Sequence, residues 1–534
     1  MNNPKMESTT VAEIRKGEAS SNEHELDDFD DAGLPARYRG TAADQRDMSM
    51  LGKKQVLRRN FKFITMLGFA STVIVSWEIL LPVFTFVLTD GGTALLFWGF
   101  IAVTFGMVMV YASLAEMASM SPTAGGQYHW VSEFAPPKYQ KLLSYIVGWL
   151  SAIGWQVFLA SVCFMQGTII QGLIALNDEN YPFHPWHGTL LSIAAVAFAI
   201  VFNTLLAVKL PLIEGMVLIL HLAGFFAIII PLWIMAPRAP AHVALLEFSN
   251  NGGWPTTGLS AMIGLTTPLT ALMGYDCSVH MSEEIQDASI TLPKAIMWSA
   301  CGNALLAFIM AITLIFTMGD TDSLLSSSTR QPFIQLFYNA TRSHAAANVM
   351  TAIVVVMLSA CCISEVATAS RQLWSFARDA GLPGSAWLSV VPPGWNLPIR
   401  SVFVSLAVTS LLSCINIGSS TALNAINSLG TVSVLTSYFV TIGCLVWRRV
   451  YGAPLPPRRW SLGRFGLAIN IGALLFVAPL WFFSFWPLAI PVTAASMNWS
   501  STMFGATIVF ALIWYVVKAR HVYTGPVVQM KRED

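Results

Sequence analysis

The sequence predicts an all-α membrane protein of twelve transmembrane helices. Of its 534 residues, 55% are hydrophobic and only 11% charged, where a soluble domain carries about 25% charge; the mean hydropathy is +0.60. A helix needs about 20 apolar residues to cross a bilayer. Runs of that kind fall near 61–88, 93–113, 142–172, 187–208, 210–236, 258–282, 293–318, 345–377, 400–417, 423–447, 464–489 and 499–519. Charge placement supports the count. With the N-terminus inside, the inner connections hold twelve Lys and Arg residues, from Lys138 to Arg464, and the outer ones three: Arg238, Arg330 and Arg342. That asymmetry is what the preference of cations for the cytoplasmic side produces. The third and eighth runs are long enough to tilt or project from the bilayer, and the ninth is short.

Three regions follow. Residues 1–59 read as a disordered cytoplasmic tail, because the acidic stretch Glu23–Asp31 has no helical face. Lys53–Asn60 ("KKQVLRRN") then sets four cations against the membrane. Residues 60–520 form the twelve-helix domain, and 521–534 a short cytoplasmic tail. The seven cysteines are scattered, with no metal-binding spacing, and read as buried structural thiols. There is no Walker loop, dinucleotide fingerprint or H-E-x-x-H pattern, so neither a soluble enzyme, a cofactor, a metal nor a nucleic-acid partner is indicated. The expected partners are the lipid bilayer, a small solute and a coupling ion. Asn339-Ala340-Thr341 is a glycosylation sequon in an outer connection; Asn498-Trp499-Ser500 also matches but lies close to a span.

Polar residues inside the spans carry the functional reading. An acid in hydrocarbon costs roughly 2.5–3.5 kcal/mol on insertion scales. Glu78 is the only acid in its run, which also contains Gly68 as a break signal, and it stands directly after Ser76 and Trp77. It is either a functional carboxylate or a structural one, protonated or paired with a buried donor. The sixth run contains Pro268, which removes a backbone donor, and Gly274, which frees the chain, followed by Tyr275, Asp276 and His280. The first and sixth runs therefore both carry a break signal and an acid. They stand five spans apart, as a five-plus-five inverted repeat requires. Asp276 reads as a helix cap or a binding residue, His280 as structural or interfacial. Glu365, in the eighth run, is a second isolated acid and a candidate proton carrier, or else a packing partner. Gln156 and Gln166 in the third run, and Asn424, Asn427 and Ser428 opening the tenth, offer further polar groups. Trp77 and Tyr275 are candidate aromatic walls for an amine.

Three stretches resemble the amino acid–polyamine–organocation superfamily: "SLAEMASMSPTAGGQYHWV" (Ser113–Val131), "MGYDCSVHMSEEIQDASITLPKAI" (Met273–Ile296) and "ASRQLWSFARDAGLPGS" (Ala369–Ser385). Their order and spacing match as well, over about residues 50–520. "SWE" and "PTAGGQYHW" are similar to the fungal GABA, choline and amino-acid permease branch. The resemblance implies a LeuT-like fold of ten core helices in two inverted repeats plus two more. It also implies secondary transport by alternating access, with substrate held at unwound segments of the first and sixth helices. Many relatives have small residues where Ser76-Trp77-Glu78 stand, so an amine rather than a carboxylate is expected there. The site would comprise Ser76, Trp77, Glu78, Gly274, Tyr275 and Asp276, with Glu365 or Asp276 carrying a coupling proton. The expected function is a proton-coupled permease of amino acids or related amines such as GABA or choline, in the plasma membrane or an organelle, with both termini cytoplasmic. A carrier for a secondary-metabolite pathway, and a non-transporting sensor, are the alternatives.

Overall fold

The computed structural model describes residues 34–526 apart from 179, 419 and 495; the side chains of 420–425 and 427, hence those of Asn424 and Asn427, also lie outside the described residues. Among the described residues, eleven helices are long and apolar enough to cross a membrane: Phe63–Val83, Gly92–Met120, Gln140–Asn177, Pro185–Thr204, Ala207–Met235, Ala288–Thr317, His344–Arg378, Ile399–Gly418, Ser428–Tyr451, Gly463–Phe483 and Ser500–Val522. The shorter apolar helix Thr257–Leu272 stands sixth in chain order, which makes twelve spans. Extended pairing among the described residues is confined to two isolated bridges, Phe61 with Ile285 and Asp90 with Asn250. An all-helical build is what hydrocarbon imposes, since a helix satisfies its own backbone.

Many of the contacts between spans repeat when each span number is shifted by five. The second packs on the seventh, the third on the eighth and the fourth on the ninth, so each of these pairs maps onto itself. First–seventh maps onto sixth–second, fourth–eighth onto ninth–third, fifth–eighth onto tenth–third, and fifth–seventh onto tenth–second; all eight contacts are present. A two-fold relation between spans 1–5 and 6–10 explains the pattern. Because five is odd, the second set enters from the opposite face, and the repeat is inverted. The eleventh and twelfth spans stand outside this repeat; 17% of the apolar stretch of the twelfth is buried, against 78% of that of the first.

Helices in lipid gain little from apolar burial against one another, so close backbone approach matters. Gly68 shows it. A Cβ there would lie 2.5 Å from the backbone oxygen of Glu214 in the fifth span. Gly68 therefore marks a contact between spans rather than the interruption of the first span.

The structured part of the chain begins before the first span, which corrects the reading of 1–59 as a tail without structure. Residues 1–33 lie outside the described residues, but Ala42–Met50 is a helix, opened by a capping box between Thr41 and Asp44. The Asp44 carboxylate also accepts from the backbone N–H groups of Asp287 (2.8 Å) and Ala288 (2.9 Å), where the seventh span starts, and pairs with Arg59 at 3.2 Å. Arg59, buried, donates to the carbonyls of Ser282 and Ile285. One carboxylate thus ties the pre-membrane segment to the connection between the sixth and seventh spans. Asp44→Ala is expected to strand a buried guanidinium and two amide donors and to destabilise the fold by on the order of 3 kcal/mol. Thermal unfolding of the purified protein in lipid nanodiscs measures this, and an unchanged transition contradicts it.

Candidate functional site

The first span is broken at Val75, whose backbone lies in the left-handed region (φ 40°, ψ 53°). A β-branched residue there is strained by about 1–3 kcal/mol. The halves are Phe63–Ile74 and Ser76–Val83. Ser76, Trp77 and Glu78 form the first turn of the second half, one residue past the break, and no side chain caps it. Amides of a first turn have no partner within their helix, and the helix dipole makes that end positive.

Glu78 is already partnered. Its Oε1 lies 2.7 Å from Nδ1 of His221 in the fifth span, and His221 Nε2 lies 2.9 Å from Oδ1 of Asn303 in the seventh. Asn303 Nδ2 donates to the Ser299 carbonyl, which fixes Oδ1 as the atom facing the imidazole. Ser76 Oγ donates to the same Oδ1 (3.3 Å) and to the Asn303 carbonyl (3.2 Å). The result is a buried chain of four side chains joining spans one, five and seven. Trp77 packs on His221 and Phe225 of the fifth span, each at 5.8 Å between ring centroids.

The sixth span unwinds after Leu272, through Met273 in extended geometry and Gly274 at φ +113°. A side chain at Gly274 would be strained and would meet Ile74 Cδ1 at 2.6 Å, so the two breaks abut. Pro268 lies in the first turn of Thr266–Leu272, where its missing N–H is tolerated. The hydroxyl of Tyr111, from the second span, serves both sides of this break: it donates to the Leu272 carbonyl (2.7 Å) and accepts from Gly274 N–H (2.9 Å). Tyr275 stacks edge-on against Tyr111 at 5.2 Å; no ring contact joins it to Trp77 among the described residues.

Asp276 does not cap the helix Cys277–His280. Its Oδ2 accepts from Gln127 Nε2 (2.5 Å) and its Oδ1 from the Tyr438 hydroxyl of the tenth span. Gln127 opens the helix Gln127–Phe134, which follows the "PTAGG" stretch. His280 donates from Nδ1 to the Ala124 carbonyl (2.9 Å) and packs against Trp155. Gln156 and Gln166 donate to Ser405 and Ser359, bonds that join neighbouring spans.

Two further acids complete the centre. Glu214, in the fifth span, accepts from Thr72 Oγ1 (2.7 Å) and Ser364 Oγ (2.8 Å). Glu365, on the eighth span, is 3% exposed, and its Oε2 has no hydrogen-bond partner among the described residues. One turn earlier, the Cys361 thiol donates to the Val73 carbonyl beside the first break (2.9 Å). Asp276 and Cys277, at the second break, are electrostatic neighbours of Glu365. The eighth span packs on both halves of the first span and on Cys277–His280, so Glu365 lies near both breaks.

The site is shut. Ser76, Trp77, Glu78, Tyr275 and Asp276 are all 0% exposed. Ion pairs seal the face that carries the N-terminal segment. Arg378 holds Glu283 with two bonds of 2.7 and 2.8 Å, Arg371 donates to Glu284 at 2.8 Å, and Lys53 lies 3.7 Å from Asp379. Burial alone would raise the Glu283 carboxyl; the Arg378 guanidinium, helped by Lys53, overcomes it and holds the group down at about 2. On the opposite face Asn339, in the helix Pro332–Thr341, accepts from Gln335 and donates to Ser323.

His221, Asn303 and Glu214 were not expected from the sequence. A signal existed for two of them. Glu214 and His221 are the only acid and the only histidine between Leu210 and Met235, and seven residues, two turns, place them on one helix face.

Residues 61–511 match the amino acid permease family. A Macrophomina phaseolina protein named as an amino acid/polyamine transporter is 31% identical, over 82% of this chain and 97% of its own. The choline transporter of Saccharomyces cerevisiae is 28% identical, over 87% and 82%. An amino-acid permease of Arabidopsis thaliana is 28% identical, over 89% and 95%.

Tyr111→Phe is expected to orphan a buried carbonyl and a buried amide at the sixth-span break, each costing about 1–3 kcal/mol. Thermal unfolding in nanodiscs tests this; stability equal to that of the unaltered chain contradicts it.

Proposed function

The chain belongs to the amino acid permease family, and from that premise we propose that it is a secondary active carrier of amino acids or related small amines such as GABA or choline. It is driven by a proton gradient and works by alternating access. That it is a multi-pass membrane transport protein follows from the family and the spans; the substrate, the ion and the mechanism are proposed.

One observation carries the reading. The middle of the bundle holds four buried carboxylates, Glu78, Glu214, Asp276 and Glu365, and among the described residues no Lys or Arg hydrogen-bonds or ion-pairs with any of them. Buried acids demand protons, donors or cations. Three have them: Glu78 has His221, Glu214 has two hydroxyls, and Asp276 has Gln127 and Tyr438. Glu365 does not. It stands where the two breaks meet, and we assign it the amine of the substrate. Glu78, expected from the sequence to take that role, sits in a pair whose charge His221 balances. Any substrate carboxylate goes to the amides of Ser76 and Trp77, at the positive end of the half-helix. Asp276 acts as a fixed acceptor that positions the second break.

The shut site and the sealed N-terminal face fit one state of a cycle in which the seal and the opposite face open in turn. The plasma membrane, with both termini in the cytoplasm, is the proposed setting, on the strength of the Lys and Arg asymmetry.

Uptake of labelled GABA, choline, polyamines, and neutral and basic amino acids, with and without a protonophore, tests the class and the coupling. Glu365→Gln is expected to weaken the apparent affinity for the carried amine about ten- to one-hundredfold, the worth of one charge-assisted hydrogen bond. Unchanged affinity for every amine contradicts the assignment.

A further inference from the structure

We propose that Glu78 and His221 form a one-proton latch, which holds the fifth span to the break in the first span while the pair carries a single shared proton and releases it when a second proton binds. The ligand of this site is a proton. Its use in coupling rests on the proposed reading as a proton-driven carrier, but the latch is a property of the resting protein.

Donors and acceptors fix the proton count. Asn303 Oδ1 can only accept, so His221 Nε2 must carry a hydrogen. The 2.7 Å contact between Nδ1 and Glu78 Oε1 then needs one proton between them. That proton lies either on Nδ1, giving imidazolium and carboxylate, or on Oε1, giving neutral imidazole and carboxylic acid. Both forms are net neutral and both keep the bond. Adding a proton, on Oε1 or on Oε2, which has no partner among the described residues, leaves a buried imidazolium without its counter-charge. Removing one leaves a single N–H for two acceptors, Glu78 Oε1 and Asn303 Oδ1. Either change leaves a buried charge or acceptor unpaired, and the contact gives way. In burial, with both side chains at 1% exposure or less, water cannot rescue the lost bond.

The groups around the pair leave its charge to the pair itself. On the seventh span Asn303 is neutral. On the sixth and eighth, Tyr275 and Cys361 are the titratable groups that feel Glu78, and both are neutral at physiological pH. On the fifth span itself, Glu214 is occupied by Thr72 and Ser364. Trp77 covers the imidazole ring.

What the latch joins gives it consequence. Ser76 and Glu78 belong to the first turn after the strained Val75. Their partners lie on spans five and seven, and Asn303 receives both Ser76 and His221. Loading a second proton therefore frees the first-span break from the fifth span at the point where the substrate region must open.

Hydrogen–deuterium exchange of the full chain in lipid nanodiscs, without substrate, tests this with the proton alone as probe. Peptides from Leu210–Met235 are followed between pD 5 and pD 8 and corrected for intrinsic exchange. In the unaltered chain, exchange near His221 is expected to rise about tenfold on acidification, the equivalent of one lost hydrogen bond. In Glu78→Gln it becomes independent of pD, because a carboxamide both donates and accepts and so satisfies either form of the imidazole. His221→Gln is expected to behave likewise and stands in if the first variant does not fold. Equal pD dependence in the unaltered chain and the variants, or none in the unaltered chain, overturns the latch. Absence of flux for every amine in the uptake panel, with the latch intact, overturns the carrier reading instead.

Discussion

A carboxylate held in hydrocarbon must find a proton, a donor or a cation, and the arrangement of this molecule's centre follows from meeting that demand four times. Glu78 brings the fifth and seventh spans to the first through His221 and Asn303. Glu214 joins the first, fifth and eighth through Thr72 and Ser364. Asp276 joins the sixth span to the tenth and to the helix Gln127–Phe134. Each acid is a tie between elements that could otherwise slide, because apolar helices in lipid gain little from one another. Glu365 is the acid whose demand is left open among the described residues, and its span packs on the two places where the backbone leaves helical geometry.

Those breaks in the backbone depend on the ties. Val75 keeps an unfavourable conformation because the helix halves on either side are pinned, one by Thr72 against Glu214, the other by Ser76 and Glu78 against Asn303 and His221. Gly274 needs no such force, since glycine adopts positive φ at little cost, but its amide and the Leu272 carbonyl both depend on one tyrosine hydroxyl. The two breaks are thus built differently: the first is held under strain, the second is permitted by composition and bridged. On the N-terminal face, Asp44, Arg59, Glu283 and Arg378 close the bundle with buried charge. Such charge is strongly bound while dry and readily released once water enters.

Much of this was legible in the sequence, for reasons that can be stated residue by residue. Twelve spans are legible because each is an unbroken apolar run, and the five-span offset because Glu78 and Gly274–Asp276 are exceptions within such runs. The second break was legible since glycine signals it. The first was not placed to the residue: Val75 favours strand or helix, and only tertiary ties force it into the left-handed region. Gly68 looked like flexibility and proved to be contact, because sequence does not tell which helix stands opposite. Ala42–Met50 was missed since it is short and its centre, Asp44–Asp47, is polar; only the Thr41–Asp44 capping pair hints at it. His221 and Asn303 were missed because a pairing such as that of His221 with Glu78 across 143 residues leaves no local pattern, and with them went the partner that balances Glu78.

The account stands or falls on which carboxylate meets the amine. A cryo-electron microscopy structure of the chain with a carried amine bound decides it. The account predicts the ammonium against Glu365, between the Val75 and Gly274 breaks, with Glu78 and His221 still within hydrogen-bond distance of each other. An ammonium seated on Glu78 with His221 displaced contradicts it.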